Sequence, residues 1–251
     1  MVGKTIRRLR IAVGLAAFAS GLLAAGAQAN TVVVGSSLTA QNFVPISFGP
    51  SATVANYVLP VPANAASPVD GTVISWKFIG DGGPLTPRVL RSTGTTSLSA
   101  AGTGATQSAT TAPNGISGPF STVIPIKRGD YFGVDGASPA ALSTASLTGT
   151  TSLYFEPALV DGGGEQAPTG TNAEEVAISA TVRYCLVPKL KGKTGKAARQ
   201  ALHAADCTVG TVSKGKKRRP VKSVLSQSVK AGSSISDTVP VDLRISRKTK
   251  P

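Results

Sequence analysis

The feature that most constrains the fold of this chain is the pattern over residues 30–184, where short apolar runs alternate with clusters of glycine, proline, serine and threonine. No segment of this region repeats its apolar residues at the helical period for long enough to predict a helix. Short β-branched and aromatic runs bounded by turn residues are typical of strands. About eight such strands favour an antiparallel β-sandwich of the jelly-roll kind. The predicted strands are residues 31–34, 54–61, 72–79, 88–91, 121–126, 131–134, 152–155 and 176–184.

Trp76 lies in the predicted strand of residues 72–79. Because successive side chains of a strand point to opposite faces, Ile74, Trp76 and Phe78 share one face, which is the pattern of a strand with a buried side. Trp76 is therefore either a core residue or an exposed platform on which a sugar stacks. Its place among large apolar residues favours the core.

Asp130, Asp135 and Glu156 are the candidates for a calcium site in this region. Calcium takes six to eight oxygen ligands, and the sequence contains no dense loop of Asp and Asn. Gly129 and Asp130 instead suit a tight turn between two strands, because both residue types tolerate the backbone angles of a reversal. The sequence favours turn chemistry over a metal.

Two segments rich in small residues are predicted to be connections. Residues 92–118 contain no charged residue and suit a long loop or a flattened edge hairpin. Residues 161–175, which include three consecutive glycines and the pair Glu174 and Glu175, suit an exposed connection. No helix with a Lys-Ser or Lys-Thr step follows these glycines, which argues against a phosphate-binding loop.

The first 29 residues have the three parts of a secretory signal peptide. Four basic residues, the last of them Arg10, precede an uncharged run over residues 11–25 and a small-residue site that ends at Ala29. The run is shorter than the roughly 20 apolar residues of a membrane-spanning helix. Cleavage before Asn30 is favoured over a retained anchor. Sec export is favoured over twin-arginine export, because Arg10 stands where the latter signal prefers an apolar residue.

Charge divides the remaining chain into two parts. Residues 30–184 contain six Lys or Arg and nine Asp or Glu, a net charge of −3, whereas residues 185–251 contain sixteen Lys or Arg and three Asp, a net charge of +13. Such asymmetry points to an anionic partner for the basic part alone. We therefore expect a signal peptide (1–29), a β-sandwich domain (30–184) and a small basic domain (185–251).

Cys185 and Cys207 are the only cysteines, and both lie in the basic part. In an oxidising compartment, an even pair in a short domain predicts a disulfide. A closed loop of about 20 residues would stabilise the domain by roughly 3 kcal/mol. The alternative, a zinc site, is disfavoured because two thiols and one distant histidine, His203, are too few ligands.

Enzyme signatures are close to absent. His203 is the only histidine and lies in the basic part, so nucleophilic catalysis in the sandwich would lack its usual base. A pair of carboxylates could still serve a glycosidase, but the nine acids of residues 30–184 are scattered in the manner of a solvated surface. We expect no catalytic residue, no cofactor and no metal.

The basic part predicts the order β-α-β-β-β. Thr194 suits the N-cap of a helix. Strands are predicted near residues 208–212, 223–228 and 239–245, with a basic turn at residues 214–219. Small and apolar residues after Thr194 fall on one helical stripe; they are Ala197, Ala198, Ala201, Leu202 and Ala205.

Residues 185–248 resemble the PASTA repeat of penicillin-binding proteins and serine/threonine kinases. The resemblance lies in the opening Val187-Pro188, the helix entry at residues 192–202, the Val209-Gly210 strand, the turn at residues 227–232 and the closing Val241-Asp242-Leu243 strand. It implies one helix on a three-stranded sheet and a non-enzymatic role in the cell envelope, since the family binds peptidoglycan fragments and related polymers. Val229 departs from the family, which has proline at this place in the turn.

The densest charge cluster is Lys214, Lys216, Lys217, Arg218 and Arg219. It is either a solvated hairpin loop without a function or a site for an anionic polymer, such as wall polymer or lipid headgroups. Nucleic acid is disfavoured, because no aromatic residue is interleaved for base stacking and export removes the usual target.

These observations predict a secreted, envelope-associated, non-catalytic protein whose PASTA-like domain docks on peptidoglycan or another anionic wall polymer. We expect no integral membrane span after signal cleavage. The alternative is a secreted carbohydrate-binding sandwich with the PASTA-like domain as a spacer. Exposed aromatic residues across one sheet face would favour the alternative, and carboxylates clustered in a cleft would favour a hydrolase.

Overall fold

The computed structural model describes residues 30–40, 42–94, 96–110 and 115–249. The predicted signal peptide, residues 1–29, lies outside the described residues. Nineteen strands and one helix form the described part, so the chain is mainly β, as the sequence pattern predicts. Within the same ranges, no helix is both long and apolar enough to cross a membrane.

The region before residue 184 consists of strands, and the pairings between them are all antiparallel. The strands are β1 (Thr31–Gly35), β2 (Val44–Ser47), β3 (Ala52–Val58), β4 (Gly71–Ile79), β5 (Pro84–Arg91), β6 (Ser99–Thr103), β7 (Gln107–Ser108), β8 (Ile116–Ile126), β9 (Tyr131–Gly136), β10 (Ala141–Ser146), β11 (Thr151–Phe155), β12 (Gly170–Asn172), β13 (Glu174–Val176) and β14 (Ile178–Arg183).

Three sheets organise these strands. The first has the order β1-β14-β4-β8, the second has the order β12-β11-β3-β9-β5-β6 with β7 paired to β5, and the third has the order β13-β10-β2. Buried side chains from the first two sheets form one apolar cluster. Because β4, β8 and β14 of the first sheet and β3, β5 and β9 of the second contribute residues to that one cluster, the two large sheets pack face to face. The predicted antiparallel β-sandwich is confirmed.

Trp76 lies in this core and is only 1% exposed. Its ring centroid is 5.3 Å from that of Phe78 and 6.2 Å from that of Phe132, which β9 contributes from the facing sheet. The prediction that Trp76 is a core residue is therefore confirmed. Full burial of a large apolar side chain contributes roughly 1.5–3 kcal/mol, so these aromatic residues dominate the stability of the sandwich.

The two predicted connections have different outcomes. Residues 92–118 include β6 and β7, which pair with β5 at the edge of the large sheet, as the edge-hairpin alternative proposed. Residues 161–165 are exposed, but Glu175 is only 3% exposed because β13 pairs with β10 and places Glu175 opposite Ala145. The prediction of an exposed connection was wrong for Glu175.

A second sheet system and the helix form the C-terminal module. The three-stranded sheet has the order β16-β19-β17, with β16 and β19 parallel, and β15 pairs with β18. One helix beside a three-stranded sheet is the predicted arrangement. The elements are β15 (Cys185–Leu186), α1 (Gly195–His203), β16 (Val209–Arg219), β17 (Val224–Gln227), β18 (Ser234–Ile235) and β19 (Val241–Lys248).

Helix α1 begins and packs as the sequence predicts. The Thr194 hydroxyl accepts a hydrogen bond from the Ala197 N–H at 3.2 Å, which caps the helix. Ala198 and Leu202 are buried against the module's own apolar cluster, which is separate from the sandwich core. His203 lies on the exposed side. The module is therefore held by a small aliphatic core of its own.

Asp237 joins the module to the sandwich. Its carboxylate accepts hydrogen bonds from the Thr72 hydroxyl at 2.8 Å and from the Arg183 guanidinium at 2.6 Å. Thr72 and Asp237 are both at most 9% exposed, whereas the Arg183 side chain is 41% exposed. A buried polar contact thus fixes the loop before β19 against β4 and β14.

Candidate polyanion-binding surface

The five basic residues predicted to bind polyanions lie on β16 rather than in a turn. Lys214, Lys216, Lys217, Arg218 and Arg219 form the end of this 11-residue strand, and all five are exposed. The predicted basic turn at residues 214–219 is therefore wrong in its backbone, although its exposure is as expected. The sequence predicted a turn because lysine and arginine are not strong strand formers. Pairing with β19 supplies the hydrogen bonds that make this segment a strand.

The parallel pairing with β19 enlarges the basic surface. Arg218 is paired with Arg247, and Arg219 is paired with Lys248. Both partners are exposed at the end of β19, more than 25 positions further along the chain. Like charges directly opposite each other on two strands repel and destabilise the pair. Strand pairing therefore brings cations together, and their mutual repulsion destabilises the pair. An anionic ligand would reduce this repulsion.

Nine exposed cations line two depressions on this part of the module, and an exposed tenth, Arg218, lies on β16. We name these depressions the first and second basic clefts. The first cleft has a volume of about 370 Å³ and the second about 350 Å³. The first is lined by Lys214, Lys222, Arg247 and Lys248, and the second by Lys191, Lys216, Lys217, Arg219 and Arg244.

These cations have no carboxylate partners among the residues that the structure describes. The four ion pairs of the described chain involve Arg88 twice, Arg91 and Arg183, all from the sandwich. Arg219 donates only a long hydrogen bond of 3.4 Å to the Ser223 hydroxyl. The positive charge of the clefts is therefore left for solvent or for a ligand.

The turn that follows β17 is hydrogen-bonded to the first segment of the module through Gln227. The Gln227 side chain accepts a hydrogen bond from the Leu190 N–H at 2.9 Å and donates to the carbonyl oxygens of Pro188 and Val229. The first segment of the module and the turn are thus held by one side chain. Since Gln227 donates to the backbone carbonyl of Val229, a residue of any type at position 229 could accept this hydrogen bond.

Residues 186–247 match the family model of the PASTA domain. The predicted repeat is confirmed, and a PASTA domain suggests a binding module related to the cell wall. No curated protein and no solved structure matches the chain.

The PASTA domain is closed by the predicted disulfide. Cys185 and Cys207 are joined, with 22 residues of sequence separation, and both are at most 4% exposed. The bridge links β15 to the segment that follows α1. The disulfide therefore joins the start of the PASTA domain to the segment after its helix.

Sequence reasoning found half of the basic cluster. Its density along the chain revealed Lys214 to Arg219, but five further cations come from distant segments. Pairing between β16 and β19 could have pointed to two of them, since parallel neighbours of a charged strand share its end. The five that were missed are Lys191, Lys222, Arg244, Arg247 and Lys248.

The three acids considered for calcium have separate protein partners. Asp130 accepts two hydrogen bonds from Arg91, at 2.8 and 2.7 Å, and one from the Lys127 N–H, so it closes the predicted turn. Glu156 accepts from the Tyr154 hydroxyl at 3.0 Å. Within the described ranges, no group of three or more acidic, histidine or cysteine side chains is arranged to hold a metal ion.

Asp135 belongs to a network that holds residues 159–161 on the large sheet. It accepts hydrogen bonds from the Arg88 guanidinium and the Thr53 hydroxyl, both at 2.6 Å. Burial raises the pKa of the Asp135 carboxyl, while the bonds from Thr53 and Arg88 oppose that rise. Arg88 also reaches Asp161 at 2.7 Å. Asp130, Asp135 and Glu156, the three acids considered for calcium, therefore each have a structural partner.

Proposed function

We propose that this protein is an exported, non-catalytic component of the cell envelope whose PASTA domain docks on peptidoglycan or another anionic wall polymer through the two basic clefts. The observation that carries the proposal is the group of ten exposed, unpaired cations that β16, β19 and their neighbours bring together. A surface patch without function would more commonly intersperse both signs of charge. The domain's net charge of +13 adds long-range attraction to any polyanion.

Extracellular placement is supported by two features. The disulfide between Cys185 and Cys207 is of a kind that persists in oxidising compartments. The predicted signal peptide would deliver the chain to such a compartment. A wall polymer is then the extended anion that the protein meets first.

The carbohydrate-binding alternative has little support in the sandwich. None of the aromatic side chains in the described ranges is exposed, and Trp76 is buried. Sugar-binding surfaces commonly use exposed aromatic rings for stacking, and such a platform is missing from the described part. The basic clefts remain the better supported binding surface.

Co-sedimentation of the full chain with purified cell-wall sacculi tests the proposal. The variant Lys216→Gln, Lys217→Gln, Arg218→Gln, Arg219→Gln should release the protein, and binding by the parent should weaken steeply as salt shortens the screening length from about 10 Å at 0.1 M to about 3 Å at 1 M. Surface changes of this kind usually alter stability by less than about 0.5 kcal/mol per site, so loss of binding would not reflect unfolding.

A matched control removes the same charge from elsewhere in the PASTA domain. The control variant changes four exposed cations that line neither cleft, namely Lys189, Lys196, Arg199 and Lys230, to glutamine. If the clefts bind the polymer, the control should retain most of its binding. Equal loss in both variants would mean that net charge alone attracts the polymer, and equal retention at both salt levels would refute an electrostatic site.

A further inference from the structure

The sandwich contains a cavity that has no part in the proposed wall attachment. It has a volume of about 510 Å³ and lies between the end of β1 and the segment of residues 59–64, with β4, β14 and β13 also contributing. Small-molecule sites commonly have volumes of about 300–1,000 Å³ and mostly apolar linings with a few polar groups. The size of this cavity suits a small ligand.

The segment of residues 59–64 forms one wall of the cavity and is hydrogen-bonded to β1 through Asn64. The Asn64 carbonyl accepts a hydrogen bond from the Gly35 N–H at 2.8 Å, and the Asn64 side-chain amide donates to the Val33 carbonyl at 3.0 Å. Gly35 has φ +101°, and a Cβ there would collide with the Ile178 carbonyl oxygen. The cavity is therefore preformed by backbone contacts that only glycine permits at this position.

Most of the lining is apolar and open to solvent. Val33 is 47% exposed, Val61 is 93% exposed, and Ile116 and Leu147 are 45% and 39% exposed. Apolar side chains gathered at the rim of a depression mark a ligand or partner site more often than a plain surface. A ligand with an apolar body would cover them.

Two opposite charges line the same cavity. Glu175 is 3% exposed, and no hydrogen bond or ion pair of its side chain occurs in the described part of the chain. Lys77 is half-buried, and it forms no ion pair with Glu175 or with another described residue. Buried charges in proteins are normally paired, as Asp130 is here with Arg91. Among the buried charged residues that the structure describes in the sandwich, Glu175 is the exception.

We infer that this cavity binds a small zwitterion with an apolar body, of the class of apolar dipeptides. The ligand's ammonium group pairs with the Glu175 carboxylate, and its carboxylate group pairs with Lys77. Its apolar side chains cover Val33, Val61 and Leu147. A dipeptide satisfies both unpaired charges at once, which neither a fatty acid nor a simple amine does.

Binding of three probes to the full chain tests this inference by calorimetry. The probes are leucyl-leucine, N-acetyl-leucyl-leucine, which lacks the ammonium group, and leucyl-leucinamide, which lacks the carboxylate. Leucyl-leucine should bind with a Kd on the order of 0.1–1 mM, as expected for a ligand of this size. Each modified probe should bind about tenfold more weakly, because it leaves one buried or half-buried charge unpaired.

Variants assign each preference to its residue. Glu175→Gln should abolish the preference for a free ammonium group, and Lys77→Met should abolish the preference for a free carboxylate. The matched controls Glu174→Gln and Lys127→Met change neighbouring or exposed charges outside the cavity and should leave all three affinities unchanged. The four-glutamine variant of the basic clefts should also bind leucyl-leucine normally, which separates this inference from wall attachment.

Three outcomes would overturn the inference: no detectable binding of leucyl-leucine, equal binding of all three probes, or unchanged preferences in both cavity variants. Trp76 fluorescence verifies that each variant is folded, since this single tryptophan lies in the sandwich core. If Glu175→Gln does not fold, Lys77→Met and the comparison among probes still decide the result.

Discussion

The sandwich and the PASTA domain differ in whether their basic side chains form ion pairs. In the sandwich, Arg88 and Arg91 form ion pairs with aspartates of the same region, and Arg183 pairs with Asp237 of the PASTA domain. In the PASTA domain, none of the described lysines and arginines forms one, although sixteen are present in its sequence against three aspartates. The sandwich uses charge to hold loops on its sheets, whereas the PASTA domain keeps charge available to a partner. The difference shows which region is built to meet a polyanion.

The two regions also differ in what stabilises them. The sandwich buries Trp76, Phe78 and Phe132 between two sheets. The PASTA domain has no tryptophan, tyrosine or phenylalanine in residues 185–251 and relies on small aliphatic residues with one disulfide. A domain of about 65 residues buries too little surface for its core alone to give a wide margin of stability. The comparison predicts that different substitutions will unfold each region.

The largest effect is expected in the sandwich core. Phe78→Ala should lower the free energy of unfolding of the sandwich by about 3–5 kcal/mol, because it removes a ring that stacks on Trp76 and Phe120 and leaves a cavity. Urea unfolding followed by Trp76 fluorescence measures the loss. Val123→Ala, at a side chain that is 76% exposed, is the control and should change stability by less than about 0.5 kcal/mol. A loss below about 1 kcal/mol for Phe78→Ala would contradict this packing of Phe78 in the core.

Removing the disulfide should affect the PASTA domain alone. The double variant Cys185→Ala, Cys207→Ala should lower that domain's free energy of unfolding by about 3 kcal/mol, because a loop with a sequence separation of 22 is no longer closed in the unfolded chain. Hydrogen exchange of residues 185–249 should accelerate, while the Trp76 unfolding transition stays in place. A shift of both transitions by the same amount would show that the two regions unfold as one unit.

Substitution of Asp237 tests how strongly the stabilities of the sandwich and the PASTA domain are coupled. Asp237→Ala should destabilise the sandwich by about 1 kcal/mol, because the buried Thr72 hydroxyl loses an acceptor, while the ion pair with the half-exposed Arg183 adds little. Residues 30–184 produced alone should unfold cooperatively and show a similar loss, since truncation removes the same acceptor. Failure of residues 30–184 to unfold cooperatively would contradict their assignment as a domain.

The smallest effect concerns alkaline pH. Burial raises the pKa of Tyr131 to about 12, with a smaller contribution from Tyr57, whose ring stacks on it at 5.2 Å. The unfolded chain releases this proton at about pH 10, so the stabilisation present below that value should be lost as pH rises through about 12. Unfolding measured across this window should show a smaller decline in Tyr131→Phe. An identical decline in both proteins would remove Tyr131 as the cause.

Much of the fold was predictable from local sequence. The alternation around Trp76 predicted a buried strand face, and Thr194 followed by small residues predicted the start of α1. Both signals work because adjacent residues decide them: side-chain direction alternates in a strand, and a hydroxyl caps the helix that follows it. Short strands such as β2, β10 and β12 were missed, because so few residues carry little strand signal of their own and their identity depends on neighbours in the sheet.

The candidate sites divide in the same way. The sequence by itself determined that residues 185–251 are strongly basic and that Cys185 and Cys207 can pair, because composition and residue identity require no fold. Only the tertiary structure placed Arg247 and Lys248 beside Arg218 and Arg219, and only it buried Glu175 without a partner. Both depend on strand register between segments that lie far apart in the chain, and register is decided by packing across the whole sheet.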